Sequence, residues 1–263
     1  MKDPGGSSLY TLRMNPRDKQ ILERARQQGF ISVEDIAEQY QVTLQTARRD
    51  LTRLADLGWL SRVRGGAVPI GETETSEYIR RKQSGRGAKR AIAARVATRI
   101  PDGASLFINI GTTNEAVAEA LIERTGLQVV TNNIHVAAIL SSRSDARVII
   151  AGGEVRSEDG GVVGDATRDF IDQFRLDFAV LGISAVDAEG VLLEHDYREA
   201  RIAQAIMANA KHRMLVAEGV KFTRSAMTRV ADLSSIQEVF SDIERPEHLL
   251  GFQKLAWVRA AEK

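Results

Sequence analysis

VTLQTARRDLTRL, residues 42–54, decides how the N-terminal part of this chain is read. Thr43 is placed to cap a helix with its hydroxyl. Leu44, Ala47, Leu51 and Leu54 recur at the spacing of one apolar helix face. At about 100° per residue this leaves Gln45, Thr46, Arg49, Thr52 and Arg53 facing away, with Arg48 on the flank. Amide, hydroxyl and guanidinium groups are those that meet base edges and phosphates in a DNA major groove. Taken alone, such a face belongs to any solvated amphipathic helix, and its flanks decide the reading.

Upstream, Asn15-Pro16 starts a helix whose apolar stripe is Ile21, Leu22 and Ala25, and Gly29 ends it. Ser32 opens a second helix, with Asp35 in the position of a capping-box acid. Its buried face is Val33, Ile36, Ala37 and Tyr40. Gln41-Val42 then forms a short turn into the helix first quoted. A longer helix followed by two short ones across a tight turn predicts a helix-turn-helix over residues 31–50. Downstream, SRVRGGAV (residues 61–68) alternates around Gly-Gly as a two-stranded hairpin does, which makes a wing. Residues 48–64 hold five arginines against two aspartates, so this face is positive. The expected DNA-contact set is Ser32, Thr43, Gln45, Thr46, Arg48, Arg49, Thr52, Arg53, Arg62 and Arg64.

The whole chain carries a formal charge of only +1, so the DNA argument rests on this local excess. At 263 residues and 43% apolar, there is room for a second, larger domain with its own core. With no cysteine, disulfides, thiolate metal sites and cysteine nucleophiles are excluded. No apolar run approaches the roughly 18 residues of a membrane span, and the start lacks a signal-peptide core, so a cytoplasmic location is expected. The expected division is a flexible tail at 1–14, a winged helix-turn-helix at 15–70, a linker at 71–87 and an α/β domain at 88–263. Residues 78–99 hold eight Lys or Arg and no acid, either a solvated or a phosphate-seeking run. Lys89 lies near the start of a helix within it.

Beyond residue 101 short apolar runs alternate with helical patterns. They fall at 106–110, 129–130, 148–151, 178–183, 214–217 and 238–240. Such alternation predicts a parallel sheet covered on both faces, with ligands at the carboxyl ends of its strands. Those ends are polar and glycine-rich: Gly111-Thr112-Thr113, Thr131-Asn132-Asn133, Gly152-Gly153-Glu154 with Arg156, Gly182-Ile183-Ser184, and the stretch before Lys221. A helix start with hydroxyls attracts an anion, and Arg156 is able to clamp a phosphate. Glu154, Asp196 and Glu199 offer carboxylates to ligand hydroxyls, or serve as surface and capping groups. Neither dinucleotide nor nucleotide phosphate-loop spacing occurs, and the four histidines lack metal-ligand spacing, so no cofactor and no metal are expected.

VTLQTARRDLTRL, RVRGGA, IGTT, TNN, AGGEVR, DGGVVGDAT and Lys221-Phe222 together resemble the DeoR family of bacterial sugar-metabolism regulators, from about residue 15 to 242. The resemblance implies a repressor that binds double-stranded operator DNA. It implies a C-terminal sensor akin to ribose-5-phosphate isomerase and glucosamine-6-phosphate deaminase, a homo-oligomer (dimer or tetramer), and release by a phosphorylated sugar or polyol. Within the family the stretches at 151–167 and 169–184 lie nearest to a branch answering to glycerol 3-phosphate. The implied pocket is Gly111, Thr112, Thr113, Asn132, Asn133, Gly152, Gly153, Glu154, Arg156 and Lys221. The chain departs from the family at Asn109, where Asp is usual, at Ala203 for Lys, at Glu218 for Asp and at Arg64 for His. The competing functions are a sugar-phosphate isomerase or deaminase, using Asp196, Glu199 and Lys221 as acid–base groups, and a regulator of another ligand class. The winged helix argues against the enzyme.

Overall fold

In a computed structural model, residues 15–57, 59–69, 78 and 81–260 are described. The expected tail at 1–14 and most of the expected linker lie outside them. The chain divides into two compact units, residues 1–84 and 85–263.

The first unit is built on α1 (Pro16–Gln28), β1 (Ile31–Ser32), α2 (Val33–Gln39), α3 (Leu44–Asp56), β2 (Leu60–Val63) and β3 (Gly66–Pro69). Its starts are fixed by side chains. Asn15 and Asp18 form a reciprocal capping box on α1, as do Ser32 and Asp35 on α2, and Thr43 accepts the Thr46 amide at 3.2 Å. Ile21, Leu22, Ala25, Ile36, Ala47, Leu51 and Leu54 close a small core with β1, β2 and β3. Leu44, expected on that apolar face, is 44% exposed, and Asp50 is buried there instead. The hairpin pairs Leu60 with Pro69 through Val63 with Gly66, and β1 adds as a third strand in the order β1-β3-β2.

The third strand depends on a glycine. A Cβ at Gly66 would stand 2.2 Å from the Ile31 carbonyl oxygen and 2.7 Å from the Phe30 ring. Gly66→Ala is therefore expected to push β1 off β3 and to destabilise this unit by roughly 1–3 kcal/mol. Thermal unfolding of the isolated variant against wild type checks it; an unchanged midpoint would show that the backbone gives way without cost.

The second unit is a seven-stranded, all-parallel sheet flanked by helices. Its strands are β4 (Ser105–Ile108), β5 (Gln128–Thr131), β6 (Arg147–Ile150), β9 (Leu176–Leu181), β12 (Ala210–Val216), β14 (Glu238–Ser241) and β15 (Ala256–Arg259). Two small antiparallel additions are β7 (Glu154–Val155) with β8 (Val162–Val163), and β10 (Ala185–Val186) with β11 (Val191–Glu194) and β13 (Thr228–Asp232). Side chains alternate between two cores. Phe107, Val130, Ala179, Leu181, Leu215 and Val239 point to one. Leu106, Ile108, Val129, Val180, Met214, Val216 and Phe240 point to the other. The first core packs on α7 (Asp165–Ile171) and α8 (Tyr197–Ala208); the second packs on α4 (Arg86–Ala97), α5 (Thr112–Ala120) and α6 (Ile134–Leu140). The inner strands are thus buried on both faces, the condition under which parallel sheets occur, while the edge strands β6 and β15 have exposed ends. Among the described residues no helix is long and apolar enough to cross a membrane.

The strand order β15-β14-β12-β9-β4-β5-β6 reverses between β4 and β9: the chain runs outward from β4 through β5 to β6, then returns to β9 on the other side. That reversal opens a crevice at the carboxyl ends of β4 and β9, the position at which open α/β sheets hold ligands.

Candidate DNA interface and ligand site

On α3 of the first unit, Gln45, Arg48, Arg49 and Thr52 are exposed. Arg48 and Arg49 make no side-chain hydrogen bond or ion pair among the described residues, whereas Thr52 bonds back to the Arg48 carbonyl at 2.9 Å. Thr46 is half-buried and shares a 3.0 Å hydroxyl contact with Thr43. Ser32 is occupied as a cap, its Oγ accepting the Asp35 amide at 2.9 Å. In the hairpin, Arg62 and Arg64 are exposed, with Arg64 in the turn beside Gly65 (φ 83°). Arg53 behaves differently from its neighbours. Its Nη2 binds Asp18 and lies 3.1 Å from Asp50 Oδ1.

In the second unit the crevice is lined from the strand ends upward. Asn109 ends β4 and bridges to β9: its Oδ1 accepts the Gly182 amide at 2.8 Å and its Nδ2 donates to the Gly182 carbonyl at 3.3 Å. Asn114 on α5 donates to the Asn109 carbonyl at 3.0 Å and also binds the Asn109 side chain. An amide suits this position because it must donate and accept at once. Gly111 (φ 139°) turns the chain into α5, where Thr112 and Thr113 are the first two residues. The first intrahelical bond is from the Glu115 amide to the Gly111 carbonyl, so the preceding amides face out of the helix end.

The end of β5 carries Asn132 and Asn133, both fully buried. Asn132 donates to the Val162 carbonyl at 3.0 Å, and Asn133 caps α6 through the His135 and Val136 amides. Asn132 Oδ1, Asn133 Nδ2 and Asn114 Oδ1 are buried without a hydrogen-bond partner among the described residues, a costly arrangement for groups of this kind. Gly152 accepts the Thr167 hydroxyl at 2.9 Å. At Gly153 (φ 153°) a Cβ would lie 2.1 Å from that hydroxyl oxygen, so only glycine fits there.

Arg156 is engaged by carboxylates. Asp159 meets it at 3.2 and 2.5 Å, Asp196 at 3.5 Å, and Glu199 binds it directly. Burial works against its charge, yet Glu199 and Asp159 hold its pKa above the ordinary guanidinium value. Glu154 is exposed and pairs with Arg198, which also holds Asp196. Asp196 caps α8, and although burial raises its pKa, the Arg198 bonds bring it below normal. For Glu199 burial prevails over Arg156 and the pKa rises. Lys89 on α4 is buried and lies 3.4 Å from Glu218, whose pKa burial raises against the pull of Lys89 and Lys221.

The expected ligand set thus falls into four groups: the crevice of Asn109, Gly111, Thr112, Thr113, Asn132 and Asn133; Gly152 and Gly153 beside Thr167; the ionic cluster of Glu154, Arg156, Asp196 and Glu199; and Lys89 with Lys221, in the turn Gly219–Thr223, whose charges both act on Glu218, a residue outside that set. Residues outside that set join them. Asp159 and Asn114 hold expected site residues in place. Glu194, at the end of β11, is 4% exposed, accepts from the Ser184 hydroxyl at 2.5 Å, and feels Glu199 and Lys221. In sequence it is the end of an apolar strand, VLLE, and nothing marks it. No group of three or more His, Asp or Glu among the described residues is arranged to hold a metal ion.

Two family models match the chain. One, described as a DeoR-like helix-turn-helix domain, covers residues 17–73, and the other, a DeoR C terminal sensor domain, covers residues 85–243. The glycerol-3-phosphate regulon repressor of Escherichia coli (strain K12) is 45% identical over 235 residues, 89% of this chain and 93% of that one. The protein of the same description from Haemophilus influenzae is 43% identical over 243 residues, 92% and 94% of the two chains. Among solved structures, ribose 5-phosphate isomerase A from Neisseria gonorrhoeae aligns over 51% of this chain and 52% of its own, with 14% identity and a TM-score of 0.37.

Proposed function

The chain belongs to the DeoR family of helix-turn-helix regulators with a C-terminal sensor domain, and on that premise we propose that it represses genes of glycerol or carbohydrate metabolism and leaves its operator when a phosphorylated polyol binds, glycerol 3-phosphate first. The observation that carries the DNA half is α3, which presents Arg48 and Arg49 without partners among the described residues. Arg62 and Arg64 of the wing add positive charge for the flanking backbone. Family members are DNA-binding regulators rather than enzymes, which answers the isomerase or deaminase alternative.

Support for the effector comes from two sources. Relatives named for the glycerol-3-phosphate regulon align over nearly the whole chain. The carboxyl ends of β4 and the adjacent β5 combine a helix start bearing two threonines with buried asparagine atoms that lack partners among the described residues. A small phosphorylated polyol supplies an anion for the first and hydroxyls for the second. Regulation then follows from linkage. The effector must bind the DNA-incompetent arrangement more tightly, and a coupling of about 1–3 kcal/mol changes operator affinity about 5–150-fold.

Calorimetric titration of the full chain with glycerol 3-phosphate, against fructose 1-phosphate and glycerol, tests the effector. Selective heat with glycerol 3-phosphate is expected; equal responses to all three, or none, would reject it. Thr112→Val is expected to weaken that binding about five-fold or more by removing one hydroxyl donor at the helix start, with operator affinity in the absence of effector unchanged. A dose-response that superimposes on wild type would remove Thr112 from the site.

A further inference from the structure

Arg53 lies on the same helix as the DNA-facing arginines and has the same side chain, but its surroundings differ. We infer that Arg53 is a positioning residue: with Asp18, Asp50 and Arg17 it sets the rotation and height of α3 on α1, and it does not itself meet DNA.

Asp50 is fully buried on the inner face of α3, among Ala47, Leu51 and Leu54. A carboxylate in that setting is tolerated only when paired. It has two partners: Arg17 from α1 at 2.8 Å on one oxygen and Arg53 at 3.1 Å on the other. Arg53 also binds Asp18, which is 2% exposed and is the residue that completes the cap of α1 with Asn15. One guanidinium therefore ties the first turn of α1 to the last turns of α3. The Asp18 bond, opposed by desolvation, holds the Arg53 pKa above its ordinary value. The Arg53 side chain is 39% exposed, so DNA phosphate is within its chemistry. Swinging it outward, however, would leave the buried Asp18 without its cation and Asp50 with Arg17 alone, a larger loss than an exposed phosphate contact returns.

The reason such a network is useful lies in the rest of the contact. α3 packs through one alanine and two leucines, and apolar contact is non-directional. Charge-assisted hydrogen bonds, here from the single Nη2 of Arg53 to Asp18 and Asp50, are directional and fix register, a role best attested for buried polar groups. A helix rolled by a few degrees carries Gln45, Arg48, Arg49 and Thr52 away from the base edges they are proposed to read. It costs non-specific phosphate attraction little, since that depends on charge and not on register.

This gives a readout that separates three roles. The full chain would be titrated, at several KCl concentrations, with a duplex selected by the protein itself from a random pool and with a scrambled duplex of equal length. For Arg53→Met, affinity for the selected duplex is expected to fall about ten-fold. Affinity for the scrambled duplex and the slope of log K against log salt stay as in wild type. Arg53→Lys restores much of the loss, because one ammonium nitrogen is able to bridge both carboxylates as Nη2 does. Asp18→Asn, which keeps an oxygen for the cap and all the DNA-facing arginines, shows the same pattern in weaker form. If Arg53→Met weakens both duplexes and reduces the slope by about 0.9, Arg53 touches phosphate and the inference is wrong. If Arg53→Met and Asp18→Asn lower the melting temperature while the folded protein discriminates the two duplexes as before, the network only adds stability, and the inference is again wrong. Should Arg53→Met fail to fold, Asp18→Asn alone decides by the same ratio of affinities.

Discussion

Arg49→Ala is expected to cost the protein roughly 1–3 kcal/mol of operator binding, about 5–150-fold in affinity. The expectation rests on what Arg49 lacks. Arg53 and Arg17 are spent on buried carboxylates, and Arg156 and Arg198 are spent on acids of the second unit. Arg49 is exposed in the middle of the reading helix and is paired with nothing in the described residues. Its truncation leaves no buried charge behind and removes no core contact, so the melting temperature is expected to stay within a degree or two, as for most surface changes of about 0.5 kcal/mol or less. Whether Arg49 reads a base or a phosphate shows in the form of the loss. A base contact relaxes the preference at one position of a selected duplex; a phosphate contact weakens all duplexes alike and lowers the salt slope by about 0.9. Equal operator affinity in the folded variant would remove Arg49 from the interface and shift the DNA face toward the wing.

The difference between Arg49 and Arg53 also marks how far a linear reading reaches. Helical spacing located α3 and gave both arginines the same outward direction. It placed Leu44 on the buried face, where the structure has Asp50. Spacing reports which residues share a face, but Asp50 becomes an acceptable core residue only because Arg17, 33 positions earlier, reaches it. The same limit recurs in the second unit. Six strands of the parallel sheet stand out as apolar runs, five of them inner strands buried on both faces and the sixth, β6, an edge strand with exposed ends. The seventh, β15, is the opposite edge strand with exposed ends like those of β6, and its apolar run Ala256-Trp257-Val258 is not among the strands expected from the sequence. The antiparallel set of β10, β11 and β13 consists of pieces too short and too scattered in the chain to announce their pairing.

At the crevice, the glycines, threonines and asparagines at the strand ends were visible as composition, because turns between strand and helix select those residues. What composition cannot show is who pairs with whom. Arg156 reads as a phosphate clamp in isolation, and in the fold it is held by Asp159, Asp196 and Glu199. An anionic ligand would have to compete with three carboxylates for it. Thr112, Thr113 and the amides of the α5 start carry no such competition in the described geometry. Anion recognition at the helix start is therefore the more economical arrangement, with Arg156 holding the β7–β8 hairpin against α8.

Glu194→Gln is expected to make the protein more stable above neutral pH, by about 2–4 kcal/mol near pH 9. Burial raises the Glu194 pKa first, and the nearby negative charge of Glu199 raises it further; the Ser184 hydroxyl and Lys221 oppose them, and the result is pushed up to about 8. Glu199 is in turn set by Arg156, Asp159 and Asp196, so these groups make up the electrostatic surroundings of the pair. Between about pH 4.5 and 8 the folded chain keeps the Glu194 proton and the unfolded chain does not. The folded state then binds more protons, and stability declines as pH rises through that window. The contribution is whole below about pH 4.5 and is lost once pH passes 8, the reverse of a salt-bridged carboxylate. Glutamine has the shape of the protonated acid and retains a donor and an acceptor for Ser184, but nothing to ionise. Denaturant unfolding from pH 5 to 9 should show the wild-type curve falling relative to the variant, with the two together at the acid end. The same ionisation adds negative charge beside Glu199 and Lys221, so glycerol 3-phosphate affinity in wild type should fall several-fold between pH 7 and 9, after its phosphate (second pKa about 6) is already dianionic. In Glu194→Gln that decline should vanish. Parallel pH curves for the two proteins, in stability and in binding, would mean that Glu194 is ionised at neutral pH and that the Ser184 bond and Lys221 outweigh its burial.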